Sequence, residues 1–348
     1  MQSMQNQPVQ SETGVAKAAS VDVTKTHVVR ELKHDSPLIS CRFDPSGRFV
    51  FFGAQDNRVW RWEWSGEEKT ALAAHDSWVR AIGFHPDCQT VLTGGYDGRL
   101  IWWPVSDEKP EPLRQVDAHA GWLRSLVVSP DGQLVATAGD DLLVKLWSLA
   151  DGSLVRELAG HNRYIYNVAF HPDGKNLVSG DLMGRLIHWE VATGKQVREF
   201  KAESISKYDK TFKADIGGFR GLTFSPDGKW LAGSGITNVT NAFAGIGNPV
   251  IVVFDWESGA QKIQHQAKGK LDGVAWSVAF HPQDFTIGIC GGRGGGVLMF
   301  FKPGQQEAFH QFKLPDTARD LDLCTDGVHL ATPHYDRHLR ISKMAEKA

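Results

Sequence analysis

The sequence predicts an all-β fold, a seven-bladed β-propeller with four antiparallel strands per blade, closed where the N-terminal strand pairs with the C-terminal blade. Three observations predict it. A strand-like segment of six residues followed by a tight turn recurs seven times along the 348 residues. The first four copies begin about 41–44 residues apart, a spacing typical of propeller blades. The last copy has only three strands, and an unassigned strand pattern precedes the first copy.

Each copy begins with an apolar strand and a turn whose residue types fix its geometry. The copies begin at Leu38, Val79, Leu123, Ile165, Phe219, Ala275 and Ala318. Pro in these turns presets φ, Asp hydrogen-bonds back to the main chain, and Gly accepts positive φ, so each turn predicts a hairpin. Second and third strands follow, and a more polar fourth strand leads to the next copy. No amphipathic helical pattern of useful length interrupts this order.

The two ends of the chain are expected to meet in one blade. The seventh copy lacks a fourth strand, and residues 26–32 (THVVREL) can supply it by pairing with residues 338–342. Such pairing removes the exposed strand edges that an open ring would leave. We therefore expect one propeller domain over residues 22–348. It follows a disordered polar tail over residues 1–21, which is rich in Gln and Ser.

The composition argues against several classes of function. With 38 basic and 40 acidic side chains the net charge is −2, so neither a nucleic-acid partner nor a membrane surface is predicted. The four cysteines are scattered without a CxxC pair, so no metal site and no disulfide framework is expected. The sequence also has no apolar run of membrane-spanning length and no signal-peptide core. These features predict a cytoplasmic protein without a cofactor.

A set of four side chains recurs in the second and third copies. It comprises a His before the first strand, a Thr on the second, an Asp in the next turn and a Trp on the third. The members are His75, Thr93, Asp97 and Trp103, and then His119, Thr137, Asp141 and Trp147. In both copies the His and the Asp are 22 residues apart. With this pattern the chain resembles the WD-repeat family from about residue 26 to residue 342. The resemblance implies that each set is a hydrogen-bonded structural tetrad.

The other copies depart from the pattern. The first keeps the spacing between His34 and Asp56 and leads to Trp62, but Phe52 stands where Ser or Thr is expected. The fourth has Met183 where the Asp belongs. The fifth and sixth lose the tetrad, with Phe in place of Trp, and the seventh keeps only part of it. Blades five to seven are therefore expected to be the less stable part of the ring.

In the WD-repeat family, partners often dock on the face that carries the loops from fourth to first strands and from second to third strands. The resemblance places this face at Trp78, Arg80, Tyr96, Trp122, Arg124, Asp140, Tyr164, Tyr166, Arg220, Trp276, Arg293, Arg319 and Tyr335. Trp, Tyr and Arg are enriched in binding hot spots. The alternative is that the three Trp side chains pack between blades. Two long insertions, residues 202–218 and 235–249, are expected beside this face and could form a partner contact.

Four of these residues are arginines at equivalent positions near the start of a first strand: Arg80, Arg124, Arg220 and Arg319. Equivalent positions in a ring project to the same mouth of the channel, so the four guanidinium groups are expected to converge. Such a cluster would attract a protein or peptide with acidic or phosphorylated side chains. The alternative is internal neutralisation by carboxylates such as Asp140, and both alternatives remain open from the sequence.

These features predict a scaffold that binds other proteins or peptides, not an enzyme, and no catalytic residue is assigned. The alternative is a propeller enzyme that binds a small substrate or Ca²⁺ near the central channel. Such a site needs several Asp, Glu, Asn or His side chains that converge from different first strands. Few are present, the exceptions being Asn167, Asp320 and Asp322.

Overall fold

The computed structural model describes residues 21–211, 213–241, 246–292 and 295–347. The strands in these ranges form seven four-stranded antiparallel sheets and one separate two-stranded hairpin. The first strands of consecutive sheets contact each other around the whole ring, and the first strand of the last sheet contacts that of the first. The sheets are therefore the blades of a seven-bladed β-propeller, and the predicted fold class is confirmed. Residues 1–20 of the tail expected over residues 1–21 lie outside the described residues and stay a prediction, whereas Val21 packs against a buried cluster.

The strands are numbered in chain order. The chain begins with β1 (His27–Lys33). Blade one contains β2 (Leu38–Phe43), β3 (Phe49–Ala54), β4 (Val59–Glu63) and β5 (Lys69–Leu72). Blade two contains β6 (Val79–Phe84), β7 (Thr90–Gly95), β8 (Arg99–Pro104) and β9 (Arg114–Asp117). Blade three contains β10 (Leu123–Val128), β11 (Leu134–Gly139), β12 (Leu143–Ser148) and β13 (Leu154–Ala159). Blade four contains β14 (Ile165–Phe170), β15 (Asn176–Asp181), β16 (Arg185–Glu190) and β17 (Gln196–Lys201).

The later blades are interrupted by the insertions. The separate hairpin is formed by β18 (Ser206–Asp209) and β19 (Ala214–Gly217). Blade five contains β20 (Gly221–Phe224), β21 (Trp230–Asn241), β22 (Ile246–Asp255) and β23 (Gln261–Gln266). Blade six contains β24 (Val274–His281), β25 (Phe285–Gly292), β26 (Gly295–Phe301) and β27 (His310–Leu314). Blade seven contains β28 (Asp322–Leu323), β29 (His329–Pro333) and β30 (His338–Lys343). Short 3-10 helices span Val23–Lys25 and Glu203–Ile205. In the described part of the chain, no helix has the length and apolar composition needed to cross a membrane.

The two ends of the chain meet in blade seven, as the sequence predicts. Strand β1 pairs antiparallel with β30, so that His27 lies opposite Lys343 and Lys33 lies opposite His338. The pairing gives blade seven its fourth, outermost strand and leaves no unpaired edge on β30. The ring therefore depends on residues from both ends of the propeller.

The apolar core lies between adjacent blades. Leu92 and Trp102 of blade two belong to the same buried cluster as Leu123 and Leu126 of blade three. A strand packed between two neighbouring blades is buried on both faces and reads as a continuous apolar run. All six residues of β3 are buried for this reason. The successive sheets are thus held together by side chains on their faces.

The turns between first and second strands form as their residue types suggest. In blade three, Asp131 Oδ1 accepts hydrogen bonds from the Ser129 hydroxyl at 2.6 Å and from the Gln133 N–H at 3.0 Å. Gly132 has a φ of 70°, a left-handed conformation that favours glycine. These turns lie at the opposite end of the blades from the loops that carry the candidate residues.

Candidate interaction face

Hydrogen-bonded tetrads fix the loops that carry several candidate residues. In blade two, Trp103 Nε1 donates to Thr93 Oγ1 at 2.9 Å, and Thr93 bonds to His75 Nε2 at 2.8 Å. His75 Nδ1 bonds to Asp97 Oδ2 at 3.0 Å. Burial alone would raise the pKa of Asp97, but the hydrogen bond and charge of His75 and two main-chain N–H groups together outweigh it and hold that pKa well below its usual range. Because the loop from His75 leads into β6, the tetrad also fixes the position of Trp78.

The same network is present in blades three and four. In blade three the bonds are 2.7–2.9 Å long and link His119, Thr137, Asp141 and Trp147. In blade four, His161 Nδ1 bonds to Asp181 Oδ2 at 2.9 Å, and Ser179 and Trp189 complete the tetrad. The prediction that Met183 occupies the acidic position is therefore wrong. Asp181 is the last residue of β15, and its carboxylate reaches the histidine from the strand instead of from the turn.

Blade one has a modified network. His34 Nε2 lies 3.1 Å from Asp56 Oδ2, and this carboxylate accepts a second hydrogen bond from Trp60 Nε1 at 3.0 Å. The expected Trp62 bonds to a main-chain carbonyl oxygen instead, so the prediction for that residue is wrong. Phe52 offers no hydroxyl, and the His34 ring packs edge-on against it with centroids 5.5 Å apart. The hydrogen bond between His and Asp is kept, while the bond to a hydroxyl is replaced by an aromatic contact.

A β-bulge near the start of the first strand interrupts the pairing of one residue in each of five blades. The bulged residues are Ile39, Arg80, Arg124, Tyr166 and Trp276. A bulge redirects a side chain without ending the strand. The central channel has a volume of about 720 Å³, and three of the predicted arginines, Arg80, Arg124 and Arg220, line it. Arg80 Nη2 donates to the main-chain oxygen of Arg220 at 3.4 Å, so side chains of distant blades meet at this end of the channel.

The charge of Arg124 is neutralised within the protein. Its guanidinium forms a two-point ion pair with Asp140, in which Nη2 and Oδ2 are 3.2 Å apart. The guanidinium carbon lies 4.7 Å from the ring centroid of Trp122 and 4.4 Å from that of Tyr166. The rings of Tyr96 and Tyr164 lie within 6.0 Å and 5.6 Å of it. Internal pairing, the second alternative for the arginine cluster, thus holds for this one arginine.

The other three arginines differ from Arg124, and we call Arg80, Arg220 and Arg319 the mouth arginines. None of the three forms an ion pair with a residue that the structure describes. Burial lowers the pKa of Arg220 and of Arg319, and the charge of Arg80 lowers both further. Arg220 lies over Tyr166, and Arg319 lies over Tyr335, at 4.7 Å and 5.1 Å from the ring centroids. Arg293, the remaining predicted arginine of the face, is outside the described residues.

Exposed aromatic side chains lie beside the mouth arginines. Trp78, Trp122 and Tyr164 are 38%, 44% and 47% exposed. Tyr96 of blade two stacks on Trp122 of blade three, with centroids 4.2 Å apart and ring planes 3° from parallel. We call these four residues the aromatic stripe. Packing between blades, the alternative for the tryptophans, holds in part for Trp122, which stacks on Tyr96 of the neighbouring blade while 44% of it stays exposed. It also applies to Trp276, which is half-buried beside an apolar cluster.

The two insertions form paired strands that contact each other. Strands β18 and β19 are the separate hairpin, and β21 and β22 extend blade five beyond the length of other blades. Ile216 of the first insertion packs with Ile236 and Val239 of the second. Lys207 Nζ also donates to the Val239 carbonyl at 3.0 Å. The insertions therefore stand together beside the mouth, although Phe243 in the second lies outside the described residues.

The sequence offers three polar residues for an enzyme site in the channel, namely Asn167, Asp320 and Asp322. The structure does not bring them together as such a site. Asp320 Oδ2 accepts from Arg42 Nη1 at 2.7 Å, and Asp322 Oδ2 accepts from the main-chain N–H of Phe43 at 2.8 Å. Burial raises the pKa of Asp322 to about 6. The buried Asn167 Nδ2 has no hydrogen-bond partner in the part of the chain that the structure describes. Among the described residues, no group of three or more His, Cys, Asp or Glu side chains is arranged to hold a metal ion.

Comparisons with known proteins agree with this architecture. The family model for the WD domain, G-beta repeat, matches residues 26–63, 66–104, 110–148 and 152–189. These stretches cover most of blades one to four, and in each of these blades the His that precedes the first strand is hydrogen-bonded to an Asp at or just after the end of the second strand. The first four blades of this seven-bladed β-propeller are WD repeats. The tetrad is kept in full or in part in these four repeats, whereas in blade seven Thr332 and His334 form only a fragment of it.

Curated relatives of this WD-repeat propeller are much longer proteins. The chain is 28% identical over 202 residues to apoptotic protease-activating factor 1 of Rattus norvegicus, covering 58% of this chain and 16% of the relative. It is 28% identical over 195 residues to transcription initiation factor TFIID subunit 5 of Caenorhabditis elegans, covering 56% and 30%. It is 24% identical over 318 residues to WD repeat-containing protein 90 of Mus musculus, covering 88% and 16%. The chain therefore spans less than a third of each of these relatives.

Proposed function

We propose that this WD-repeat propeller is a scaffold that binds another protein or a peptide through its interaction face. The observation that carries the proposal is the aromatic stripe, which lies exposed beside three arginines without ion pairs. Trp, Tyr and Arg supply most of the binding energy in protein interfaces, and exposed apolar patches rimmed by polar groups mark such interfaces. One relative is by its name a subunit of a transcription initiation factor. A place in a multiprotein assembly is part of the proposal for this chain.

The proposed partner presents acidic or phosphorylated side chains to the mouth arginines. Guanidinium groups bind carboxylates and phosphates through paired, charge-assisted hydrogen bonds. Because these charges are only half-buried, salt should weaken the attraction. The aromatic stripe would then pack against apolar side chains of the same partner. The proposal places the protein in the cytoplasm and assigns it no catalytic residue, cofactor or nucleic acid.

The proposal is tested by quantitative affinity capture from the native cell. The test variant combines Trp78→Ala with Tyr164→Ala, two exposed residues of blades two and four. The control combines Leu154→Ala with Val155→Ala, which are equally exposed on the fourth strand of blade three. We expect the test variant to lose, by about tenfold or more, partners that the control retains, since hot-spot truncations cost about 2 kcal/mol or more.

The control variant removes exposed apolar surface outside the interaction face. It therefore distinguishes an effect of that face from a general effect of lost apolar surface. Both variants should give the circular dichroism spectrum of the unmodified protein, because all four side chains are exposed. If the Trp78→Ala/Tyr164→Ala variant retains every partner, the interaction face is not the binding site. Loss of the same partners by the Leu154→Ala/Val155→Ala control would move the site to the outer strands.

A further inference from the structure

The mouth arginines have hydrogen-bond donors that the protein leaves unused. Arg80 donates to the carbonyl oxygens of Ile39 and Arg220 at 3.5 Å and 3.4 Å, and Arg220 donates to that of Phe219 at 3.4 Å. These distances exceed the usual range of about 2.7–3.2 Å. Arg319 Nε is buried and has no partner among the described residues. A guanidinium carries five N–H donors, so most donors of the cluster have no acceptor among the described residues of the protein.

Elsewhere in the protein, arginines that leave bulk water find close acceptors. Arg42, Arg124 and Arg340 form ion pairs with carboxylates. Arg61 and Arg198 lack such pairs, but they donate to carbonyl oxygens at 2.6 Å and 2.7 Å. Among the described residues Arg198 Nε also lacks a partner, so the mouth differs from these sites in its like charges and its long hydrogen bonds. An anion at the mouth would offset the like charges and supply close acceptors.

We propose that the mouth arginines bind a phosphate monoester, supplied by a phosphorylated side chain of the protein partner. This inference rests on the proposed function, because it takes the interaction face as the surface on which the partner docks. A carboxylate has one negative charge and two oxygens in a plane, which a single guanidinium can engage fully. A phosphate monoester has close to two charges and three terminal oxygens in a tetrahedral arrangement. Three guanidinium groups that approach from blades two, five and seven match the phosphate.

Aromatic rings hold two of the mouth arginines in place. Both contact Trp276, whose ring centroid is 5.9 Å from the guanidinium carbon of Arg220 and 5.8 Å from that of Arg319. Tyr166 also packs against Arg220, and Tyr335 packs against Arg319. Rings contribute attraction to a guanidinium but accept none of its in-plane N–H bonds. These contacts thus hold the two side chains without using their in-plane donors.

The test measures binding of small probes by titration calorimetry at low ionic strength. The probes are N-acetyl-phosphoserine amide, N-acetyl-glutamate amide and inorganic phosphate. We expect the phosphoserine probe to bind about tenfold or more tightly than the glutamate probe, since an additional charge-assisted hydrogen bond corresponds to at least that factor. Equal or tighter binding of the glutamate probe would overturn the inference. Tighter binding of inorganic phosphate than of the phosphoserine probe would assign the site to free phosphate and overturn the assignment to a side chain.

Variants locate the binding. Arg80→Met and Arg319→Met should each lower the affinity for the phosphoserine probe about tenfold or more, because each removes charge-assisted hydrogen bonds. Arg48→Met is the control, since Arg48 is an exposed arginine that pairs with Glu63 in a hairpin of blade one. It should leave the affinity unchanged. Arg80→Lys keeps the charge and should recover only part of the binding. If both methionine variants bind like the unmodified protein, the mouth is not the phosphate site.

The two proposals fail in different ways. Phosphoserine binding at the mouth without loss of partners in the Trp78→Ala/Tyr164→Ala variant would contradict the scaffold function of this face. The mouth would then bind phosphate, but no docked partner would supply it, so the assignment to a phosphorylated side chain of the partner would be overturned as well. Loss of partners in that variant without any phosphoserine binding would overturn the inference and leave the scaffold function standing.

Discussion

Arg340 Nε and Glu31 Oε1 form an ion pair 2.7 Å long across the junction at which the two ends of the propeller meet. Arg340 is on β30 and also pairs with Asp336, whereas Glu31 is on β1 and lies directly opposite Arg340 in the strand register. The junction also contains Leu32 and Leu339, which are buried in one cluster with residues of blade one. Closure of the ring therefore combines main-chain pairing, an ion pair and apolar packing.

Removal of β1 is expected to destabilise the whole ring. Deletion of residues 1–33 exposes the edge of β30 and the apolar face that Leu32 covers, so the melting temperature should fall sharply. Deletion of residues 1–20 is the control and should leave the melting temperature unchanged, because these residues precede the closing strand. Thermal denaturation of both truncations is the measurement. Equal melting temperatures would contradict the closure of the ring by β1.

Removal of a tetrad carboxylate should destabilise its blade. Asp97→Ala, Asp141→Ala and Asp181→Ala should each lower the free energy of unfolding by about 1–3 kcal/mol, because each leaves buried donors unsatisfied. Met183→Ala is the matched control, since that side chain is outside the network. Urea denaturation at neutral pH gives the comparison. An Asp181→Ala variant as stable as the unmodified protein would refute the tetrad assigned to blade four.

The contribution of Asp141 should depend on pH in a defined window. Burial raises its pKa, but the hydrogen bond and charge of His119 outweigh this and lower the pKa from 3.8 to about 2. A lowered pKa in the folded state stabilises the protein above the unfolded pKa and ceases to do so as pH falls through the folded value. The stability difference between the unmodified protein and Asp141→Ala should thus be constant above pH 4 and shrink between about pH 4 and pH 2. Urea denaturation across this range checks it, and a difference that grows on acidification would contradict it.

Arg80 and Arg124 should respond oppositely to loss of charge. Arg124→Met leaves Asp140 without its partner and should destabilise the protein by about 1–3 kcal/mol. Arg80→Met removes a charge that repels Arg220 and Arg319, so its stability should equal or exceed that of the unmodified protein at low salt. Added salt should reduce any gain, since it screens like charges. Urea denaturation at low and high salt distinguishes the two arginines, and equal destabilisation by both changes would refute the difference.

One cysteine should react with a thiol reagent in the folded protein. Cys88 is half-buried in a hairpin turn of blade two, whereas Cys41, Cys290 and Cys324 are buried. Burial raises the pKa of Cys290 to about 12 and that of Cys324 to about 11, so neither forms a thiolate at neutral pH. Mass spectrometry after alkylation should find one modified thiol per folded chain and four per unfolded chain. Rapid modification of a second thiol would contradict the packing of the blades.

The features that the sequence predicts best are those that depend on repetition. Seven copies of one hairpin specify the number of blades, and the unpaired ends specify how the ring closes. The tetrad of blade four was missed because the expected spacing was applied too strictly. Asp181 lies two positions before Met183, and a side chain at the end of β15 still reaches His161. An acidic residue up to two positions before the expected one can therefore complete the tetrad, as Asp181 does.

The electrostatics of the face could not be predicted from the sequence. The order of residues shows that arginines recur at one position, and it names Asp140 as one candidate partner. Asp140 forms its ion pair with Arg124 and not with Arg80, and this choice depends on side-chain positions in the folded protein. The insertions are predicted from the sequence only as long connections, because their length is all that distinguishes them there. Their strands are held by pairing with each other and by contacts between Ile216 and Val239, which are distant in sequence.

The central claim is that a partner docks on the face at the mouth of the channel. Hydroxyl-radical footprinting of the native complex tests it most directly, because exposed aromatic side chains are modified readily and report their own coverage. The account predicts that partner binding protects Trp78, Trp122 and Tyr164, while Leu154 and Val155 on the outer strand of blade three stay reactive. Protection of the outer strand with unchanged reactivity of the aromatic stripe would contradict the account.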